Sequence, residues 1–179
     1  MFTSHNTNTI FIIIYLYMSP INKVIKNNQT DLNPIWIMRQ AGRYLPEFRE
    51  IRKKNPNFIK LCLNPELSTE ITLQPIKRYD FDAAIIFSDI LMIPHGIGQN
   101  VEFKKNLGPQ MKDLNVDQML SLNEKSFSER LSPIYELIKN LKNKKELANK
   151  DIIGFVGAPW TLLVYMINKV SPKNGLNKK

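Results

Sequence analysis

The 179-residue sequence predicts an α/β fold built on a parallel sheet. Three observations carry that expectation. "AAIIF" (83–87) is a continuous apolar run without alternation, which is how a strand buried on both faces reads. Two more short apolar runs, "PIWIM" (34–38) and "IIGFVG" (152–157), have the length of buried strands. Helical patterns lie between and after these runs, so strands and helices alternate along the chain. No short repeat of fixed period is present, which excludes a solenoid.

The elements follow in order. "IFIIIYLYM" (10–18) is apolar but too short to span a bilayer, which needs about 20 residues. It lacks the basic flank and small-residue cleavage site of a signal peptide. It reads as a packed strand or as sequence upstream of the true start, with Met18 the favoured start. Residues 19–33 are polar and rich in Asn, a loop or frayed helix. "PIWIM" is the first strand. "LPEFREIRKK" is a helix with Pro46 in its first turn and Pro56 beyond its end. "NFIKLCL" is a short helical piece. "NPELSTEITLQPIKRYD" is a helix with Leu67, Ile71 and Ile76 on one face and Leu73 nearby, kinked or divided at Pro75. "FDAAIIFSDI" (81–90) is the second strand. The Gly- and Pro-bearing stretch from Leu91 to Met111 is a long connection with room for a hairpin. "LSPIYELIKNLKNKKEL" repeats Ile134, Leu137, Ile138 and Leu141 at helical spacing. "IIGFVG" is the third strand, and "APWTLLVYMINKV" a helix begun near Pro159.

The net charge is +9, from 25 Lys+Arg against 16 Asp+Glu. The surplus is diffuse, and its densest patches ("KNLKNKKELANK" and "SPKNGLNKK") carry no aromatics. That argues against a nucleic-acid stripe. One cysteine, Cys62, and two histidines, His5 and His95, leave no set for a metal cluster. A lone cysteine makes no internal disulfide, so the reducing cytoplasm is the expected compartment and Cys62 a small buried hydrophobe. "HGIGQN" lacks the third glycine of a dinucleotide loop, and "GFVGAPW" lacks the Lys-Ser/Thr of a phosphate loop.

Arg39, Arg43, Asp89 and Tyr165 fall at or beyond the C-terminal ends of the expected strands, or on the following helix. In parallel α/β folds that rim binds ligands. Arg39 and Arg43 offer two planar forks for carboxylate or phosphate, with Gly42 between them for a tight turn or a close ligand. The plain alternative pairs them with Glu47 or Glu50. Asp89 could accept N–H donors, stabilise a cation or move a proton. The plain alternative is a helix cap, from Ser88 or Asp89. Tyr165, Trp36 and Trp160 read first as packing residues, and His95 as a solvated loop residue.

"PIWIMRQAGRYLPEFR" resembles the N-terminal signature of the uroporphyrinogen decarboxylase family. The likeness continues through "NPELSTEITLQPIKRYDFDAAIIFSDIL", "NLGPQM" and "GFVGAPWTLLVYMI", roughly residues 33–168. A looser relation exists to corrinoid methyltransferases, whose Cys/His metal ligands have no counterpart here. The resemblance implies the N-terminal part of a (β/α)8 barrel with parallel strands. It implies a cytoplasmic homodimer that binds uroporphyrinogen and needs no cofactor, nucleic acid or membrane. The implied reaction removes CO2 from the four acetate side chains of uroporphyrinogen III, giving coproporphyrinogen III in haem biosynthesis. By resemblance Asp89 gathers the pyrrole N–H groups, Arg39 and Arg43 hold carboxylates, Tyr165 lies near the substrate, and Gln40, Ala41 and Gly42 belong to the same substrate loop. Arg39 is also implied as a proton relay, for which an always-protonated guanidinium is ill suited.

The organisation expected is therefore an apolar extension over 1–18, a partial barrel over 19–170 and a divergent tail over 171–179. A (β/α)8 barrel takes about 250 residues, and only three strand–helix units read clearly. The alternative expectation is thus an inactive truncated fragment, with a separate chain supplying the rest as a variant. A basic nucleic-acid-binding module or a membrane-associated protein is a remoter one.

Overall fold

The structure, a computed structural model, describes residues 18–28, 31–104 and 106–171. The apolar run before Met18 and the tail after Ser171 lie outside the described residues. The elements are α1 (Pro20–Asn27), α2 (Pro46–Lys54), α3 (Phe58–Cys62), α4 (Pro65–Tyr79), β1 (Ala83–Ile85), α5 (Met92–Gly96), β2 (Val101–Lys104), β3 (Gly108–Met111), α6 (Val116–Leu120), α7 (Glu124–Arg130), α8 (Ser132–Lys142), β4 (Asp151–Ile153) and α9 (Pro159–Asn168). A short 3₁₀ turn spans Lys145–Leu147.

β1 and β4 pair in parallel, Ala83 beside Asp151 and Ile85 beside Ile153. The expected α/β class with a parallel sheet is therefore found. Ala83 to Phe87 are all buried, as the unbroken apolar run required. The hairpin is found too, β2 antiparallel to β3.

The asparagines of this chain have a structural task. Asn57, Asn64, Asn115 and Asn123 each accept a backbone N–H three residues on, and so start α3, α4, α6 and α7. Pro20, Pro46, Pro65, Pro133 and Pro159 occupy first-turn positions, where a missing N–H costs nothing.

Two apolar clusters hold the elements together. The smaller joins Leu73 and Ile76 of α4, Ala84 and Ile86 of the β1 run, and Leu137 and Leu141 of α8. The larger gathers Leu45, Phe48, Ile59, Leu61, Cys62, Ile71, Phe87 and Leu91 with Val101, Met111, Leu162 and Met166. α4 therefore buries more than the single face its apolar spacing predicts: Ile71 enters one cluster and Leu73 and Ile76 the other. It also runs unbroken through buried Pro75 instead of dividing there.

Three other expectations are corrected. "PIWIM" is extended but not a strand. Asp82 donates its N–H to the Ile35 carbonyl (2.9 Å) and accepts the Ile35 N–H on Oδ2 (2.7 Å). Beyond that the buried Gln40 amide stands between the two backbones, donating to the Ala83 carbonyl (3.0 Å) and accepting from Ile37 N–H (3.4 Å). A side chain fills the place of a ladder bond. "IIGFVG" is a strand only as far as Ile153, and Phe155 and Val156 are exposed, since among the described residues β4 has no neighbour beyond β1. Trp36 and Trp160 are 42% and 63% exposed, so neither is a core residue. Residues 20–27 form a helix with no buried residue, held by its cap: Ser19 and Asn22 both hydrogen-bond the Asp151 carboxylate at the start of β4.

Candidate active site

Residues 39–43 form a loop between the extended 34–37 segment and α2. Gln40 is 1% exposed, and its two amide bonds fix the loop to β1. Its main-chain carbonyl accepts the Tyr44 hydroxyl. Leu45 N–H closes a turn on the Gly42 carbonyl (3.0 Å), and Arg49 donates to the carbonyls of Arg43 (2.9 Å) and Tyr44 (3.2 Å). Gly42 does not have positive φ, and a Cβ there would meet only the Tyr44 ring at 3.6 Å. The tight turn expected of Gly42 is made without glycine's special conformation. Ala41 packs against the larger cluster.

Arg39 and Arg43 are left exposed by this arrangement. The expected acid, Glu47, is taken by Arg78 in a two-pronged pair (3.1 and 2.8 Å). Among the described residues neither Arg39 nor Arg43 makes an ion pair.

Asp89 lies four residues past the end of β1 and is half-buried. Its Oδ1 accepts the Leu91 N–H at 2.8 Å. α5 begins after Leu91 with no side-chain cap, so the helix-cap role expected of Ser88 or Asp89 is not the one found. Burial lifts the Asp89 carboxyl above the usual aspartate range, and the Leu91 N–H works against that rise.

The structure adds a residue that the sequence motifs did not single out. Arg52, in the last turn of α2, is half-buried and lies over the Phe58 ring, 5.3 Å from its centroid. Its Nη1 donates to the carbonyls of Asn55 (2.6 Å) and Pro56 (3.2 Å). Burial, and after it the nearby Arg43 guanidinium, lower its pKa. Neither Arg43 nor Arg52 has a carboxylate partner among the described residues, so an anion can engage either guanidinium. In sequence Arg52 looks like one more cation of a basic helix end, and only the fold shows it lying on the Phe58 ring.

The buried Cys62 thiol is raised first by burial and then by Asp89, and lowered by Arg52. Cys62 is the small core residue that the sequence predicts. Tyr165 is half-buried in the second turn of α9, packs on the larger cluster, and its hydroxyl meets Ser171 Oγ at 3.3 Å. His95 is in α5 and half-buried, not in a solvated loop; burial and then Arg130 lower its pKa.

Among the described residues no three His, Cys, Asp or Glu are gathered as a metal would require. No helix among them is long and apolar enough to cross a membrane.

The sequence model of the family described as Uroporphyrinogen decarboxylase (URO-D) matches residues 17–177. The uroporphyrinogen decarboxylase of Chelativorans sp. (strain BNC1) is 52% identical over 135 residues, covering 75% of this chain and 39% of that protein. That of Brucella anthropi is 50% identical over 135 residues, with the same coverage of both chains. That of Brucella ovis is 47% identical over 146 residues, 81% of this chain and 42% of that protein. The chain therefore spans about two fifths of the length of the curated relatives it matches. On the extent of the family match and the identity to these relatives, this chain belongs to the uroporphyrinogen decarboxylase family.

Proposed function

We propose that this chain carries the carboxylate-binding and charge-stabilising part of a uroporphyrinogen decarboxylase. The observation that carries the proposal is a set of arginines, Arg39, Arg43 and Arg52, without a carboxylate partner among the described residues, together with a partly desolvated Asp89 just past the end of β1. Uroporphyrinogen presents eight carboxylates around a ring of four pyrrole N–H groups. Arginines at the rim suit the first and an acceptor-only carboxylate suits the second.

The chemistry follows from the substrate. Protonating a pyrrole carbon makes that ring cationic. The bond from the acetate methylene to its carboxylate then breaks, its electron pair flows into the ring, and CO2 leaves. A second proton turns the methylene into a methyl group, and loss of the ring proton restores the pyrrole. Four rounds give coproporphyrinogen. The ring supplies its own electron sink. Asp89, accepting from the pyrrole N–H groups, would stabilise the cation where it develops. Arg39, Arg43 and Arg52 would hold acetate and propionate groups, with Gln40, Ala41 and Gly42 fixing the loop and Tyr165 closing one side.

On this proposal β1 and β4 are neighbouring strands of a (β/α)8 barrel, and the working enzyme is a cytoplasmic homodimer. The direct test is binding of uroporphyrin I, the stable oxidised octacarboxylate, followed by fluorescence, beside an anaerobic assay of uroporphyrinogen III for products with fewer carboxylates. Binding that weakens with salt and with Arg43→Ala, together with stepwise loss of carboxylates, supports the proposal. Uroporphyrin affinity no better than that of coproporphyrin, and unchanged in Arg43→Ala, would overturn it.

A further inference from the structure

We propose that Phe58 is a positioning residue of this site: its ring is the platform that aims the Arg52 guanidinium at an anionic ligand. The inference rests on the carboxylate-binding proposal above and assigns a task to a residue outside the loop and strand ends.

The geometry begins with the chain reversal after α2. Asn55 and Pro56 turn the backbone, and Phe58, the first residue of α3, comes to lie against Arg52. The two carbonyls of that turn engage only Nη1 of the guanidinium. Its other N–H donors make no hydrogen bond among the described residues, and a guanidinium has five in a rigid fork. The ring holds the flat cation in place without using any donor, as a cation–π contact does.

Phe58 is itself held. The Phe87 ring meets it edge-on at 5.8 Å and 85°, and the Phe103 ring of β2 at 4.7 Å and 64°. Phe87 in turn meets Phe48 of α2 at 5.8 Å and 69°. The rings thus connect Arg52 to the β1 run, two residues before Asp89, and to the helix from which Arg52 itself projects. An arginine fixed before its ligand arrives loses little rotamer freedom on binding, whereas a free one loses much.

The test uses the purified chain with uroporphyrin I as probe, with binding read by fluorescence under conditions where far-UV circular dichroism matches the wild type. Phe58→Leu is expected to weaken binding about fivefold, the scale of a lost cation–π contact. Phe58→Tyr, which keeps the ring, should bind within about twofold of the wild type by the same reasoning. In an Arg52→Met background Phe58→Leu should add nothing. Should Phe58→Leu not fold, Phe58→Met carries the same comparison with an adaptable chain of similar volume. Unchanged binding in the folded Phe58 variant, or the same loss with Arg52 already removed, would overturn the proposal. If Arg43→Ala weakens binding while Phe58→Leu does not, only the platform fails. If none of these variants moves binding, the carboxylate-binding proposal fails with it.

Discussion

Thr72→Val is the substitution whose effect the structure specifies most closely. Thr72 is fully buried in α4. Its hydroxyl donates to the Ser68 carbonyl at 2.7 Å and accepts the Phe87 N–H at 2.9 Å. The second bond matters more. The parallel ladder ends at Ile85, the last sheet bond runs from Ile86 N–H to the Ile153 carbonyl, and Phe87 N–H finds no strand opposite it. Valine keeps the shape of threonine and removes the acceptor. A buried orphan N–H costs about 1–3 kcal/mol, and the added methyl returns up to about 0.8 kcal/mol. The net expectation is a loss of about 0.2–2.2 kcal/mol. Thr72→Ser keeps the bond and loses one methyl, about 1 kcal/mol. With a urea slope of about 2 kcal/mol per molar, Thr72→Val should lower the midpoint by about 0.1–1.1 M. Stability alone does not separate the two variants cleanly, so amide exchange at Phe87 is the deciding measurement. Phe87 N–H should lose protection in Thr72→Val and keep it in Thr72→Ser. A valine variant as stable as the wild type, with Phe87 still protected, would refute this account of how the strand end is held.

Asp89→Asn should stabilise the protein increasingly as pH rises above about 4, the ordinary aspartate range. The Asp89 pKa is raised by burial in the folded state, so that state holds the proton more tightly than the unfolded chain. Stability therefore falls between the unfolded and folded pKa values, and the asparagine removes that loss. Urea midpoints across a pH series test this; a gap between variant and wild type that does not grow with pH would count against it. Cys62 is fully buried with its thiol pKa raised first by burial, so thiol reagents should label it only on unfolding. Labelling of the native protein as fast as a free thiol would refute that. Leu137→Ala removes a fully buried side chain between α4, α8 and the β1 run, and about 2–5 kcal/mol of stability should go with it in urea unfolding. A loss well under 1 kcal/mol would mean the smaller cluster is not packed as described.

What is legible in the sequence by itself is local or periodic. The unbroken run of Ala83 to Phe87 marked a strand buried on both faces, because apolar burial is written directly in composition. Ile134, Leu137, Ile138 and Leu141 marked α8, because helical spacing places them on one stripe. Pro46 and Pro159 mark helix starts, because proline suits the first turn, where its missing N–H costs nothing. Asp89 can be placed just past the β1 run by counting along the chain.

What counting could not supply is which groups meet. Glu47 was as good a partner for Arg43 as for any cation until the fold gave it to Arg78, 31 residues away. Gln40 reads in sequence as part of the ligand loop, and only the fold shows its amide holding the Ala83 carbonyl. Trp36 and Trp160 read as core because tryptophan is highly buried on average, yet the 34–37 segment and α9 leave them exposed. Arg52 gains its place on the Phe58 ring only through the turn at Asn55 and Pro56. Periodicity and propensity act within a few residues and survive in the linear sequence. Pairing of charges and amides depends on distances across the fold, which only tertiary packing decides.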